Sequence, residues 1–221
     1  GKRSGETARE YAYRMIREQV ISLELKPGEA FNDMEFAAKI GVSRTPVREA
    51  VIQLSEESRI IEIFPQRGMR IAPIDVELVE EARSLRVLLE KQIAGMCCEM
   101  ATEEDIKWLQ ENVGLQEFYM ENSRPEMVMQ LDDEMHHKLF MICHRELTYG
   151  MCQKLAIHYD RIRSLSVNTV KDNTIIEDHR KIIQFIAEHK KENAMAQMEK
   201  HLSRWQLNEG KFRQEFPDYF K

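Results

Sequence analysis

The sequence predicts a mainly α protein in two parts: three helices closed by a β-hairpin, then an all-helical antiparallel bundle. Two observations carry this. Glycine and proline are scarce, nine and six among 221 residues. Apolar residues recur at helical spacing nearly everywhere, and strand-like runs occur only in RIIEIF (59–64) and MRIAPI (69–74). With 43% hydrophobic residues, the chain is long enough for one large core or two modest ones.

The elements follow in order. From about residue 5 to 23, Tyr11, Met15, Ile16, Val20 and Ile21 mark one helical face. LKPGEAF (25–31) breaks it with Pro27 and Gly28. DMEFAAKI (33–40) is a short helix ended by Gly41, and GVSRTPVREA (41–50) opens the next. The strand-like runs are joined by PQRG, a hairpin corner with Pro65 and Gly68. Beyond Pro73 the expected helices are 76–100, 102–122, 126–144, 147–167, 173–189 and 191–212, with Gly95 inside the first. The predicted boundary separates residues 1–75 from 76–221.

Charge supports that division. Up to Asp75, 12 basic residues balance 12 acidic ones, so the whole net charge of −6 lies in the second unit. Such a chain does not coat nucleic acid by bulk electrostatics, but a local basic surface is compatible with it. Cys97, Cys98, Cys143 and Cys152 show no zinc-type spacing and are expected as buried, reduced thiols. No apolar run reaches the ~20 residues that cross a membrane, and no leader pattern opens the chain. A cytoplasmic protein without a membrane partner is expected.

The stretch GVSRTPVREA has a proline near a helix start. Ser43 is placed as the N-cap, its hydroxyl accepting from a first-turn amide. Pro46 then falls at the third helical position, where no intrahelical donor is needed. Arg44 and Arg48 are four apart and share a face, opposite Val47, Val51 and Leu54. A first turn offering cations and hydroxyls suits the major groove: arginine forks onto guanine, while hydroxyls and amides hold phosphate. The hairpin would form a wing, with Arg67 near the backbone or the minor groove. An ordinary exposed helix carrying two arginines is the alternative.

These residues also carry a resemblance. LKPGEAFNDMEFAAKIGVSRTPVREAVIQL, with PQRG behind it, resembles the winged helix-turn-helix of the GntR superfamily of bacterial transcription regulators. The likeness spans nearly all of residues 8–72. It implies DNA contacts from Ser43, Arg44, Thr45, Arg48, Arg67 and Gly68. Two departures stand out: Ser58 replaces a family glycine in EESRII (56–61), and Met34 stands where some relatives have a polar residue.

All seven histidines follow residue 135. LDDEMHHKLF places Asp132 and His136 on the border of an apolar helix face, with Asp133 and His137 turned toward solvent. His179 lies beside Ile182, Ile183 and Ile186; His201 lies beside Met198, Leu202 and Trp205. Were Asp132, His136, His179 and His201 to converge, they would suit Zn²⁺, Ni²⁺ or Mn²⁺. Unrelated histidines at the core edge are the alternative. The second unit resembles the FCD effector domain of the FadR subgroup of GntR regulators, over about 76–212. That resemblance implies a metal held by those four residues and a small carboxylate effector near it. It also implies an effector contact from Arg86, which could equally pair with a neighbouring glutamate. Arg161 and Arg163 are weaker candidates of the same kind. His137, His144, His158 and His189 are expected to be surface or structural.

The resulting expectation is not an enzyme. It is a homodimeric, ligand-responsive regulator, in all expectation a repressor, reading a near-palindromic DNA operator. A metal-dependent hydrolase and a DNA-binding protein with an empty effector pocket are the competing readings.

Overall fold

A computed structural model describes residues 1–169, 174–204 and 208–221. Helix α1 (Ala8–Ile21) starts at a capping box in which Thr7 and Glu10 satisfy each other's backbone amides. Strand β1 (Ala30–Phe31) leads into α2 (Asp33–Ile40), capped by the Asn32 side chain and ended by left-handed Gly41 at φ 74°. Helix α3 (Arg44–Ser58) then precedes β2 (Ile61–Phe64) and β3 (Gly68–Ile71). The sheet is antiparallel in the order β1-β3-β2. The hairpin was legible in the sequence, whereas the two-residue strand β1 was not, because so short a run has no periodicity to read.

Two further corrections concern helix ends. Ser43 is the N-cap of α3, yet its hydroxyl makes no capping bond. The third-position residue is Pro46, which has no N–H to give. At the other end, the left-handed position falls on Arg59 at φ 55°, one residue beyond Ser58, whose hydroxyl donates instead to Leu54 O.

The second unit is helical: α4 (Val76–Met100), α5 (Glu103–Glu121), α6 (Pro125–Ile142), α7 (Glu146–Thr169), α8 (Thr174–Ala187) and α9 (Lys191–Leu202). Gly95 is tolerated inside α4 because α9 packs there so closely that a Cβ would lie 3.0 Å from Met195 Sδ. The expected 191–212 helix ends at Leu202, and a separate α10 (Glu209–Glu215) follows. Trp205 and residue 173, at the start of one expected helix, lie outside the described residues.

Each unit has its own apolar core. The first is completed by Ile157 of α7, fully buried among α1 and α3 residues. The segment between the units is pinned twice. Ile74 N donates to Tyr219 O at 2.7 Å, and Arg161 Nη1 donates to Ala72 O at 2.7 Å.

Candidate metal centre and DNA-reading surface

Helix α3 turns Val47, Ala50, Val51 and Leu54 into the core and leaves Arg44, Thr45, Arg48, Glu49 and Ile52 around a shallow outer surface. Arg44 is fixed there by its Nε, 2.9 Å from buried Asp33 at the start of α2. Among the described residues the Arg48 and Arg67 side chains have no partner, so both are available to an anionic surface. The wing corner needs left-handed backbone at Gln66 (φ 59°) and Gly68 (φ 96°), and the second is open to glycine at little cost. Ser43, Arg44, Thr45, Arg48, Arg67 and Gly68 are all exposed.

Behind this unit, Asp132 and His136 of α6, His179 of α8 and His201 of α9 come together. Each is buried, and each offers a ligand atom lying within 4.8 Å of the others. His179 Nε2 is 3.2 Å from His201 Nε2 and 3.2 Å from Asp132 Oδ1. Its Nδ1 is 2.9 Å from Gln116 Oε1, an atom that only accepts, so Nδ1 carries the proton and Nε2 the lone pair. Gln116 is oriented by donating to Asn112 Oδ1, and Asn112 donates to Leu131 O.

His136 Nδ1 lies 2.5 Å from Glu90 Oε2, so its proton faces that carboxylate, and Nε2, 3.8 Å from Asp132 Oδ2, keeps its lone pair toward the cluster. An imidazole oriented by a buried carboxylate on one nitrogen, and without a hydrogen-bond partner on the other among the described residues, is arranged as a metal ligand. A divalent transition ion fits this donor set, and an octahedral one would leave two positions open.

Charge balance supports the fit. Burial pushes the Asp132 carboxyl up, but Arg163 beside it holds it well below the usual range. Burial pulls His179 and His201 down, so both favour the neutral, ligating form.

A small cavity, partly open to solvent, adjoins Asp132 and His201. Arg86 and Arg163 line it. Arg86 is buried and donates from Nε to Glu90 Oε1 at 2.5 Å, so the glutamate pairing and the cavity position coexist. Arg163 joins Asp132 to Asp160, and Asp160 Oδ2 lies 3.6 Å from Arg17 of α1.

Arg161 corrects the expectation of an effector contact. It points away from the cavity to Ala72 O, Pro73 O and His158 Nδ1. His158 is structural: its Nε2 lies 2.5 Å from Ser58 O, at the end of α3. Because arginine only donates, His158 Nδ1 must accept, and Nε2–H donates to Ser58. Of the remaining histidines, His137 stacks on Tyr149 and His189 Nδ1 lies 2.6 Å from Cys98 O, while His144 is exposed. The four cysteines are free and buried.

Gln116 and Asn112 beside the histidines have no counterpart in the sequence reading, and Glu90 enters it only as a partner for Arg86. The i, i+4 spacing of Arg86 with Glu90 and of Asn112 with Gln116 was the available signal.

Known proteins resemble the chain along most of its length. The profile of bacterial regulatory proteins of the gntR family matches residues 8–71, and that of the FCD domain matches residues 81–204. The HTH-type transcriptional repressor RspR of Escherichia coli is 28% identical over 209 residues, covering 94% of this chain and 91% of its own. An uncharacterized HTH-type transcriptional regulator of Streptomyces ambofaciens is 29% identical over 204 residues, covering 90% and 84%. Among solved structures, Escherichia coli McbR/YncC superposes with a TM-score of 0.77 at 18% identity, covering 95% of this chain and 99% of its own. That likeness is one of fold. No helix among the described residues is long and apolar enough to cross a membrane. The families matched are those of transcription regulators rather than enzymes, and the chain belongs to the GntR family of bacterial transcriptional regulators, in the group that carries an FCD domain.

Proposed function

We propose that the protein is a metal-containing, ligand-responsive repressor that binds a near-palindromic operator as a homodimer. The observation that carries this is α7, which joins the cavity beside the Asp132–His136–His179–His201 cluster to the DNA-reading unit. Residues 1–75 read DNA and residues 76–221 bind the effector and the partner protomer. Arg44, Thr45 and Arg48 meet base edges, with Ser43, Arg67 and Gly68 on the backbone or the minor groove. The Ser43 hydroxyl, unused as a cap, is free to donate to a phosphate. Two such units would sit in successive major grooves, roughly 34 Å apart. That RspR is named a repressor supports the sign of the regulation.

The effector is a small carboxylate taken up beside the metal, with Arg86 as its fork. A bound Zn²⁺, Ni²⁺ or Mn²⁺ would supply a Lewis-acidic contact for a carboxylate oxygen. The chain's own residues carry the signal onward. An anion in the cavity competes for Arg163, which Asp132, Asp133 and Asp160 share. Asp160 then alters its hold on Arg17 of α1. On the far side of the same helix, Ile157, His158 and Arg161 contact α3 and the segment between the units. A preference of the effector for one arrangement of the reading units changes DNA affinity by a coupling of typically ~1–3 kcal/mol.

Mobility shifts on the DNA flanking the protein's own gene test the first half. Wild type should bind, and Arg44→Ala plus Arg48→Ala should not. Elemental analysis tests the second half: His136→Ala plus His179→Ala should be metal-free, and full retention of metal would overturn it.

A further inference from the structure

The chemistry of the cavity walls restricts the ligand further, on the reading that an effector carboxylate binds there. Arg86, Arg163 and Arg204 line the cavity, and each is already matched by a buried carboxylate. Arg86 faces Glu90, Arg163 faces Asp132 and Asp160, and Arg204 faces Asp178. The cavity therefore holds no excess positive charge from arginine with which to neutralise a second or third ligand carboxylate. Among the described residues, Arg86 uses only Nε within the protein, which leaves its two terminal nitrogens as one fork for one carboxylate.

The remaining wall is apolar: Val128, Met129, Ile162, Val167, Ile175 and Leu202. Neutral hydroxyls are few. The Tyr159 O–H already donates to Leu202 O at 3.1 Å, and Ser166 is the other hydroxyl on the described lining. A polyhydroxy acid would bury hydroxyls against aliphatic carbon, and a tricarboxylate would bury charge without a partner; both are costly. We infer that the effector is a monocarboxylate with an apolar tail, aliphatic or aromatic, its head between the metal centre and Arg86 and its tail on the Val128–Ile162–Leu202 wall.

The test uses the full-length, metal-loaded protein, with titration calorimetry and thermal shift as readouts. The probes are hexanoate and phenylacetate against malate, citrate and gluconate. Hexanoate or phenylacetate should bind at least tenfold more tightly than any of the polar acids. Ile175→Arg adds an unmatched cation to the wall and should shift preference toward adipate over hexanoate. Tighter binding of citrate, malate or gluconate to wild type would overturn the inference and leave the effector reading intact. Binding of none of the five acids to metal-loaded protein would overturn the effector reading itself.

Discussion

Two sets of arginines, one in the DNA-reading unit and one around the cavity and the junction, are used in opposite ways. Arg44, Arg48 and Arg67 of the first are exposed, and the last two have no partner among the described residues. Arg86, Arg161 and Arg163 of the second are well shielded and bound to carboxylates or carbonyls. An exposed guanidinium contributes little to stability and is available to a ligand. A buried one is costly to desolvate, so its position is fixed by the groups it satisfies. One set is therefore expected to govern affinity and the other architecture and signalling.

The largest expected effect tests whether the second unit is organised around an ion. His136→Ala plus His179→Ala removes two of the four ligand atoms and should bring metal to background by elemental analysis. Gln116→Leu keeps all four ligands but removes the acceptor that fixes the His179 tautomer. It should weaken metal binding by roughly 10–100-fold in a chelator competition. Affinity should also fall as pH is lowered, because protons compete for the imidazole lone pairs. Wild-type affinity in Gln116→Leu would mean that the amide only packs.

Stability separates the two kinds of arginine more directly. Burial pulls Arg161 down to about 9, still above neutral pH, so it remains a cation held by carbonyl oxygens. Arg161→Leu leaves Ala72 O, Pro73 O and His158 Nδ1 without their donor, at a cost of about 3 kcal/mol in denaturant unfolding. Arg48→Leu should leave stability within about 0.5 kcal/mol. Its effect belongs in operator binding, at about 1–3 kcal/mol with relaxed discrimination at one base pair. Arg67→Ala should instead lower the salt dependence of binding by about one counterion. Equal stability losses in Arg48→Leu and Arg161→Leu would erase the contrast.

How much of this the sequence disclosed follows the same line. The exposed set sits in one continuous motif, Ser43 to Arg48 plus PQRG, so it was readable at once. Three of the four cluster residues were readable as histidines on apolar helix shoulders, but only the resemblance brought them together. Their convergence depends on the packing of α6, α8 and α9, which no single helix encodes. The supporting shell was hidden for a similar reason: Glu90 and Gln116 look like solvent-facing residues until α4 and α5 are buried. From sequence alone Arg161 and Arg163 look equivalent. They are two residues apart, so they face different sides of α7, one toward Ala72 and one toward Asp132.

The junction between the units gives a pH-dependent version of the comparison. Burial pushes His158 down to about 4 from its ordinary 6.5, and nearby Arg161 adds to this. Between those values the unfolded chain binds the proton and the folded chain does not. Stability is therefore complete above the ordinary value and declines as pH falls toward the folded one. The loss should be about 2 kcal/mol between roughly pH 7 and pH 5, read as the difference between wild type and His158→Gln. Identical slopes would place the pH sensitivity in the metal cluster instead.

The smallest effect concerns the place where the first unit meets that junction. Helix α3 ends in a left-handed residue, and the chain places Arg59 there at φ 55° rather than a glycine. A side chain in this conformation costs about 1–2 kcal/mol relative to glycine. Glycine loses more freedom on folding, which returns part of the gain. Arg59→Gly should therefore stabilise the protein by about 0.5–1 kcal/mol, raising the thermal midpoint by about 1–4 °C. It should also relieve repulsion on His158, since Arg59 is among the cations that hold its proton affinity down. Arg59→Lys separates the two contributions, because it keeps both the charge and the strain and should leave the midpoint unchanged. Should Arg59→Gly destabilise instead, the arginine would be anchoring the end of α3 against α7, as Arg17 anchors α1 to Asp160.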